Sequence, residues 1–123
     1  MEPTVLIVDD EPSIVAPLHF LMEQQGCAVH VITDGAGVLP FVEEHVPDLI
    51  LLDDMLPSRS GYDLCEDIRS RPEWDHIKII MITVKSRDVD VERGLALGAD
   101  DYITKPFAIQ EVIDKVRRHL PAA

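Results

Sequence analysis

The sequence predicts an α/β fold of the doubly wound kind: a five-stranded parallel sheet with helices on both faces. Three observations predict it. Short apolar runs rich in Val, Ile and Leu alternate along the chain with longer segments of helical period. Aromatic residues make up only 5% of a chain that is 46% hydrophobic, so the core is built from branched aliphatic side chains, which suit strands buried on both faces. The 123 residues contain no repeat, low-complexity tract or linker, so one domain over residues 1–123, with its core at about 4–120, is expected.

The first strand is Val5-Leu6-Ile7-Val8, which stops at Asp9-Asp10-Glu11. Pro12 suits the first helical position, and Ile14, Leu18, Leu21 and Met22 follow one helical face to Gly26. Pro17 removes a backbone donor within that helix and predicts a bend rather than an end. Ala28 to Ile32 reads as the second strand, and Gly35 to His45 as a helix weakened by Gly37 and Pro40. Asp48-Leu49-Ile50-Leu51-Leu52-Asp53 is the third strand, followed by a loop from Pro57 to Gly61 and a helix through Leu64 and Ile68 to Arg71. Ile77 to Thr83 is the fourth strand, Ser86 to Leu97 the fourth helix, closed by Gly98, and Tyr102 to Thr104 the short fifth strand. The fifth helix carries Ile109, Val112, Ile113, Val116 and Leu120 on one face, while Trp74 is expected to cap the edge of the core.

The formal charge of -12 argues against direct nucleic-acid binding, which depends on Lys and Arg neutralising phosphates. Cys27 and Cys65 belong to no metal or redox spacing, and the five histidines show no ligand spacing. No apolar run approaches the ~20 residues that a membrane span requires, and the N-terminus lacks a basic region followed by an apolar core. A cytoplasmic chain without membrane contact is expected.

In open parallel sheets, ligands bind beyond the carboxyl ends of the strands. Those ends carry Asp9 and Asp10, Asp53, Thr83 and Lys105. Crowded carboxylates repel, and a hard divalent cation such as Mg²⁺ relieves the repulsion. Lys105 and such a cation together bring three carboxylates near neutrality, so that an anionic phosphoryl donor can enter. One carboxylate can then attack phosphorus, with Thr83 donating its hydroxyl to a phosphoryl oxygen. Singly, these residues also fit ordinary roles as turn, strand and edge residues.

Taken together they resemble a known family, the receiver domains of bacterial two-component response regulators. The resemblance runs from Val5 to about Leu120 and is carried by Val8-Asp9-Asp10-Glu11, Leu52-Asp53 with Met55-Leu56-Pro57 and Gly61, Ile82-Thr83, Gly98-Ala99-Asp100-Asp101-Tyr102 and Lys105-Pro106-Phe107. It implies strand order 2-1-3-4-5, Asp53 as phosphoacceptor, and Mg²⁺ (with Mn²⁺ as a substitute) held by Asp10, Asp53 and the backbone carbonyl of Met55, with Asp9 acting mostly through water. It also implies Lys105 paired with Asp53 or its phosphoryl group, a cis bond before Pro106, and a switch through Thr83 and Tyr102 on the face of the fourth helix, fifth strand and fifth helix. A histidine kinase or phosphotransfer protein would be the donor. The charges of Arg93, Asp100, Asp101, Glu111, Lys115 and Arg118 on that face suggest a homodimer promoted by phosphorylation.

Asp54 is a rival acceptor on chemistry alone, but Pro57 and Gly61 have the family's spacing from Asp53. Asp54 and Val84 depart from the family pattern. With Lys85 they are the positions expected to tune rate, Asp54 by adding negative charge near the donor's approach and Val84 by narrowing access, so that small donors phosphorylate slowly. Two other classes share this chemistry. A small Mg²⁺-dependent phosphatase or phosphotransferase with an aspartyl intermediate usually carries an acid where this chain has Met55, together with extra sequence over the substrate. An unphosphorylated protein-binding adaptor would not bind Mg²⁺.

Overall fold

In the computed structural model, which describes residues 2–84 and 88–120, five parallel strands form one sheet in the order β2-β1-β3-β4-β5. They are β1 (Thr4–Val8), β2 (Ala28–Ile32), β3 (Leu49–Asp53), β4 (Lys78–Val84) and β5 (Asp101–Lys105). The helices between and after them are α1 (Pro12–Gln24), α2 (Val38–His45), α3 (Gly61–Arg69), α4 (Asp88–Ala96) and α5 (Ile109–His119).

Side chains alternate across a strand, and here the alternation divides the core in two. Val5, Ile7, Leu49, Leu51, Ile80, Ile82 and Ile103 pack on one face of the sheet against Leu18, Leu21 and Met22 of α1 and Val112 and Val116 of α5. Leu6, Val8, Ile50, Leu52, Ile79 and Met81 pack on the other face against Val38 and Val42 of α2 and Leu64, Cys65 and Ile68 of α3. This is the expected doubly wound architecture, with the expected strand order.

The elements differ from the sequence reading where local chemistry intervenes. The weak helix over Gly35 to His45 is a 3₁₀ turn, Gly35–Gly37, followed by α2. Asp34 caps that turn by accepting from the Ala36 N–H at 2.8 Å. Pro40 then falls in the first turn of α2, where the backbone N–H has no helical partner to lose. By contrast Pro17 lies well inside α1, and the helix continues past it to Gln24. The third helix stops at Arg69, because Pro72 opens a separate 3₁₀ turn, Pro72–Trp74. Trp74 is buried in the core, with the Arg71 guanidinium 3.9 Å above its ring. Ile109, expected on the buried face of the last helix, is 63% exposed at its first turn. The start of the fourth helix expected at Ser86 lies outside the described residues, as does Lys85; Gly98 ends that segment with φ +110°, which a residue with a side chain rarely adopts.

Gly61 controls the loop after β3. A Cβ at this position would collide with the Asp53 carbonyl oxygen and stand 2.9 Å from the Asp54 Cα. The Gly61 N–H also donates to the Asp54 carbonyl at 3.1 Å, drawing the start of α3 against the end of β3. Gly61→Ala is therefore expected to destabilise the fold by about 2 kcal/mol or more. Gly37→Ala, whose new methyl meets only Ile32 at 3.4 Å, should stay within about 0.5 kcal/mol of the parent. Urea denaturation of both variants checks this; equal effects would show that the close approach is not the constraint.

Candidate functional site

The carboxyl ends of β1, β3 and β5 bring Asp9, Asp10, Asp53 and Lys105 to one edge of the sheet. Alternation dictates which of them meet. Asp9 continues the series Val5 and Ile7, Asp53 continues Leu49 and Leu51, and Lys105 continues Ile103, so all three belong to the α1 and α5 side. The Lys105 Nζ lies 3.3 Å from Asp9 Oδ2 and 3.5 Å from Asp53 Oδ1. It also bonds to Glu11 Oε1 at 3.4 Å, a partner that the sequence reading did not assign although Glu11 adjoins the acidic pair.

Asp9 and Asp53 are both buried, and Asp10 is exposed. Oxygens from these three carboxylates come within 4.8 Å of one another. Asp9 Oδ1 accepts from the Glu11 N–H at 2.9 Å, whereas Oδ2 has no hydrogen bond and lies 3.3 Å from the Lys105 ammonium. Ligands around a Mg²⁺ ion, each at about 2.1 Å, stand about 3–4 Å apart, so these residues fit a hard cation with small adjustments. The orphaned Asp9 oxygen supplies a reason for one.

Burial, and then the charge of Asp9, push the Asp53 carboxyl up to about 7, against the Met55 N–H bond at 3.2 Å and the charge of Lys105. For Lys105, burial disfavours the ammonium, but Asp53, Asp9 and Glu11 outweigh it and raise its pKa. The bond from Lys105 to Pro106 is cis, as the resemblance implied.

Thr83 belongs to the other side of the sheet. It continues Ile79 and Met81, and the β3–β4 register, in which Asp53 pairs with Ile82, sets Asp54 beside it. The Thr83 Oγ1 donates to Asp54 Oδ2 at 2.9 Å, and the Tyr62 hydroxyl donates to the same oxygen at 3.2 Å. Asp54 is 3% exposed: its carboxyl lies beside that of Asp53, takes these two hydroxyls and forms part of the lining of the open cavity beside the site. In the unmodified protein the Thr83 hydroxyl is thus engaged by Asp54. Tyr62 was missed because it lies on α3, eight residues from Asp54, and only the Gly61 approach brings it there. Val84 is 37% exposed and pairs in register with Lys105.

An open cavity of about 590 Å³ adjoins the site, lined by Asp10, Asp54, Met55, Pro57, Tyr62 and Arg93 among others. The expected switch residue Tyr102 lies at the far edge of the sheet on β5, partly buried, with the Lys115 ammonium 4.4 Å above its ring. The charges expected to pair between two copies are largely engaged within the chain. Asp101 takes Lys115, Arg118 and His119, Asp100 takes Arg69, and Arg93 lies over the Tyr62 ring.

Residues 5–117 match the family model of the response regulator receiver domain. The chain belongs to that family. It is 42% identical over 114 residues to the sensory transduction protein RegX3 of Mycobacterium tuberculosis, an alignment covering 93% of this chain and 49% of that protein. This receiver domain thus spans about half the length of the curated relatives it matches. Its fold superposes with a TM-score of 0.88 on the BeF₃-activated N-terminal receiver domain of RstA from Klebsiella pneumoniae, at 28% identity over 97% of this chain and 99% of that one. A TM-score of 0.87, also at 28% identity, relates it to the receiver domain of the sensor histidine kinase PA1611 from Pseudomonas aeruginosa, over 97% of this chain and 98% of that one. That structure holds a magnesium ion in its active-site cleft. As a receiver domain of two-component response regulators, the chain is a signalling domain. Among its described residues no helix is long and apolar enough to cross a membrane.

The raised Asp53 pKa has a consequence for the metal-free receiver domain. In the unfolded chain Asp53 ionises near 3.8, and in the folded chain near 7. Its contribution to stability is complete below the lower value and is lost as pH rises through the higher one. Urea denaturation of chelator-treated protein should therefore show Asp53→Asn gaining stability over the parent between pH 5 and pH 8, by on the order of 2 kcal/mol. A pH-independent difference would contradict the burial of Asp53 against Asp9.

Proposed function

We propose that this receiver domain takes a phosphoryl group onto Asp53 from a phosphohistidine of a kinase or phosphotransfer protein in the cytoplasm. The observation that carries this reading is the convergence of Lys105 on Asp9 and Asp53, two buried carboxylates with one cation between them. A carboxylate oxygen of Asp53 attacks phosphorus, the phosphorus–nitrogen bond to the donor imidazole breaks, and an aspartyl phosphate remains. Lys105 stays beside the Asp53 oxygen and neutralises charge on the transferring group. Mg²⁺, for which Mn²⁺ substitutes, is assigned to Asp10, Asp53 and the Met55 carbonyl, with Asp9 orienting through water; when bound, it supplies further neutralisation of phosphoryl oxygens. The Met55 N–H on Asp53 Oδ1 orients the carboxylate.

The same groups would assist loss of the phosphoryl group to water, so the domain takes part in its own phosphorylation and dephosphorylation without turning over a small-molecule substrate. We assign residues 1–123 to one receiver domain with its core at about 4–120. Its output is read through Thr83 and Tyr102 on the α4, β5 and α5 face, and Val84 borders the donor's path. A homodimer through that face would have to exchange the pairs that Asp101 makes within its own chain, and Arg118, with 65% of its side chain exposed, is placed to begin that exchange.

Intact-mass analysis after incubation with a small phosphodonor and Mg²⁺ tests the assignment. One phosphoryl adduct is expected in the parent and in Asp54→Ala, and none in Asp53→Ala or with excess chelator. An adduct that persists in Asp53→Ala would overturn the site.

A further inference from the structure

The Thr83 hydroxyl is subject to two demands. It donates to Asp54 Oδ2 at 2.9 Å in the unmodified protein. A phosphoryl group on Asp53, as proposed above, would need the same donor. A hydroxyl has one proton and cannot donate to both. We propose that Asp54 is a positioning residue: it holds Thr83 off the phosphoryl site in the resting protein, and its release sets the threshold at which a phosphoryl group is recognised. The consequence for recognition rests on Asp53 being the phosphoacceptor. The resting bond does not.

Asp54 is built into this position. Its N–H donates to the Ile82 carbonyl at 3.1 Å and its carbonyl accepts from the Gly61 N–H at 3.1 Å, so its backbone is tied to β4 and to the start of α3. Its carboxyl is buried beside that of Asp53 and receives two hydroxyls on one oxygen, Thr83 from β4 and Tyr62 from α3. The Arg93 guanidinium, 4.4 Å over the Tyr62 ring, holds that ring from α4. When Thr83 turns toward Asp53, the buried Asp54 oxygen loses one of these donors. Leaving a buried acceptor undersatisfied is costly, and that cost opposes the switch. Tyr62 softens it by keeping its own bond. The two residues therefore act with opposite sign: removing Asp54 frees Thr83, whereas removing the Tyr62 hydroxyl makes Asp54 more dependent on Thr83.

Beryllofluoride with Mg²⁺ serves as the phosphoryl probe, its affinity followed by ¹⁹F NMR. The Thr83 methyl is followed by ¹³C NMR in the metal-free protein. Asp54→Ala should tighten beryllofluoride binding about fivefold or more and shift the Thr83 methyl without metal or probe present. Asp54→Asn, which keeps one acceptor oxygen and the volume of the side chain, should tighten it by about twofold and shift the methyl less. Tyr62→Phe should weaken binding about threefold. In a Thr83→Ala background all three effects on affinity should vanish. The proposal is overturned if Asp54→Asn and Asp54→Ala leave the methyl signal and the affinity unchanged, or if the gain is equally large without Thr83. Should Asp54→Ala fail to fold, the Asn and Tyr62→Phe arms decide by their opposite signs. Binding of beryllofluoride to Asp53→Asn at parental affinity would instead remove the phosphoacceptor reading, and the methyl shift in metal-free Asp54→Ala would still report whether Asp54 holds Thr83.

Discussion

Two carboxylates buried at the end of a parallel sheet, with one ammonium between them, are the constraint around which this molecule is arranged. Burying a carboxylate is expensive unless a partner compensates, and Asp9 and Asp53 share Lys105 as theirs. Lys105 sits on an edge strand, while Asp53 and Asp9 end the second and third strands inward from it. With strands about 4.8 Å apart, only a long flexible side chain crossing the top of β4 reaches both. The intervening position, Val84, is apolar and partly exposed, and offers no charge of its own to the ammonium. A site so balanced carries excess negative charge, seen in the upward shift of Asp53 and in an Asp9 oxygen without a hydrogen bond. It therefore favours whatever brings positive charge to it.

The period of two along each strand sorts the site into halves. Asp9, Asp53 and Lys105 fall on the α1 and α5 side, where charge is handled. Thr83, Asp54 and Tyr62 fall on the α2 and α3 side, where a chain of hydroxyls and one carboxyl runs from β4 toward α4. The Asp53-Asp54 pair joins the halves, because the Asp54 carboxyl lies beside that of Asp53 and also takes the hydroxyls of Thr83 and Tyr62. A chemical event at Asp53 is thus beside a buried network that reaches α3, and Thr83 is the group that both halves can use.

Much of this was legible in the sequence. The unbroken apolar runs ending in Asp9 and Asp53 placed β1 and β3 and their terminal residues, because strands buried on both faces exclude polar groups until they end, while β4 and β5 were read from β-branched runs ending at Thr83 and Thr104. Strand order came only with the family resemblance, since periodicity says nothing of which strands are neighbours. Helix ends shifted where short-range chemistry outweighed the apolar pattern, as at the Asp34 cap before Gly37 and at Pro72 after Arg69. The inward turn of Asp54 was missed because burial of a lone acid was judged from its neighbours in the chain. Its partners come from β4 and from α3, and only register and the Gly61 contact bring them together.

The proposed function turns on Asp53, and not the adjacent Asp54, carrying the phosphoryl group. Borohydride reduction of the phosphorylated protein converts an aspartyl phosphate to homoserine, and peptide sequencing by mass spectrometry then reads which residue was modified. The account predicts homoserine at position 53 alone, with Asp54 intact behind Thr83 and Tyr62. Homoserine at position 54 would contradict it.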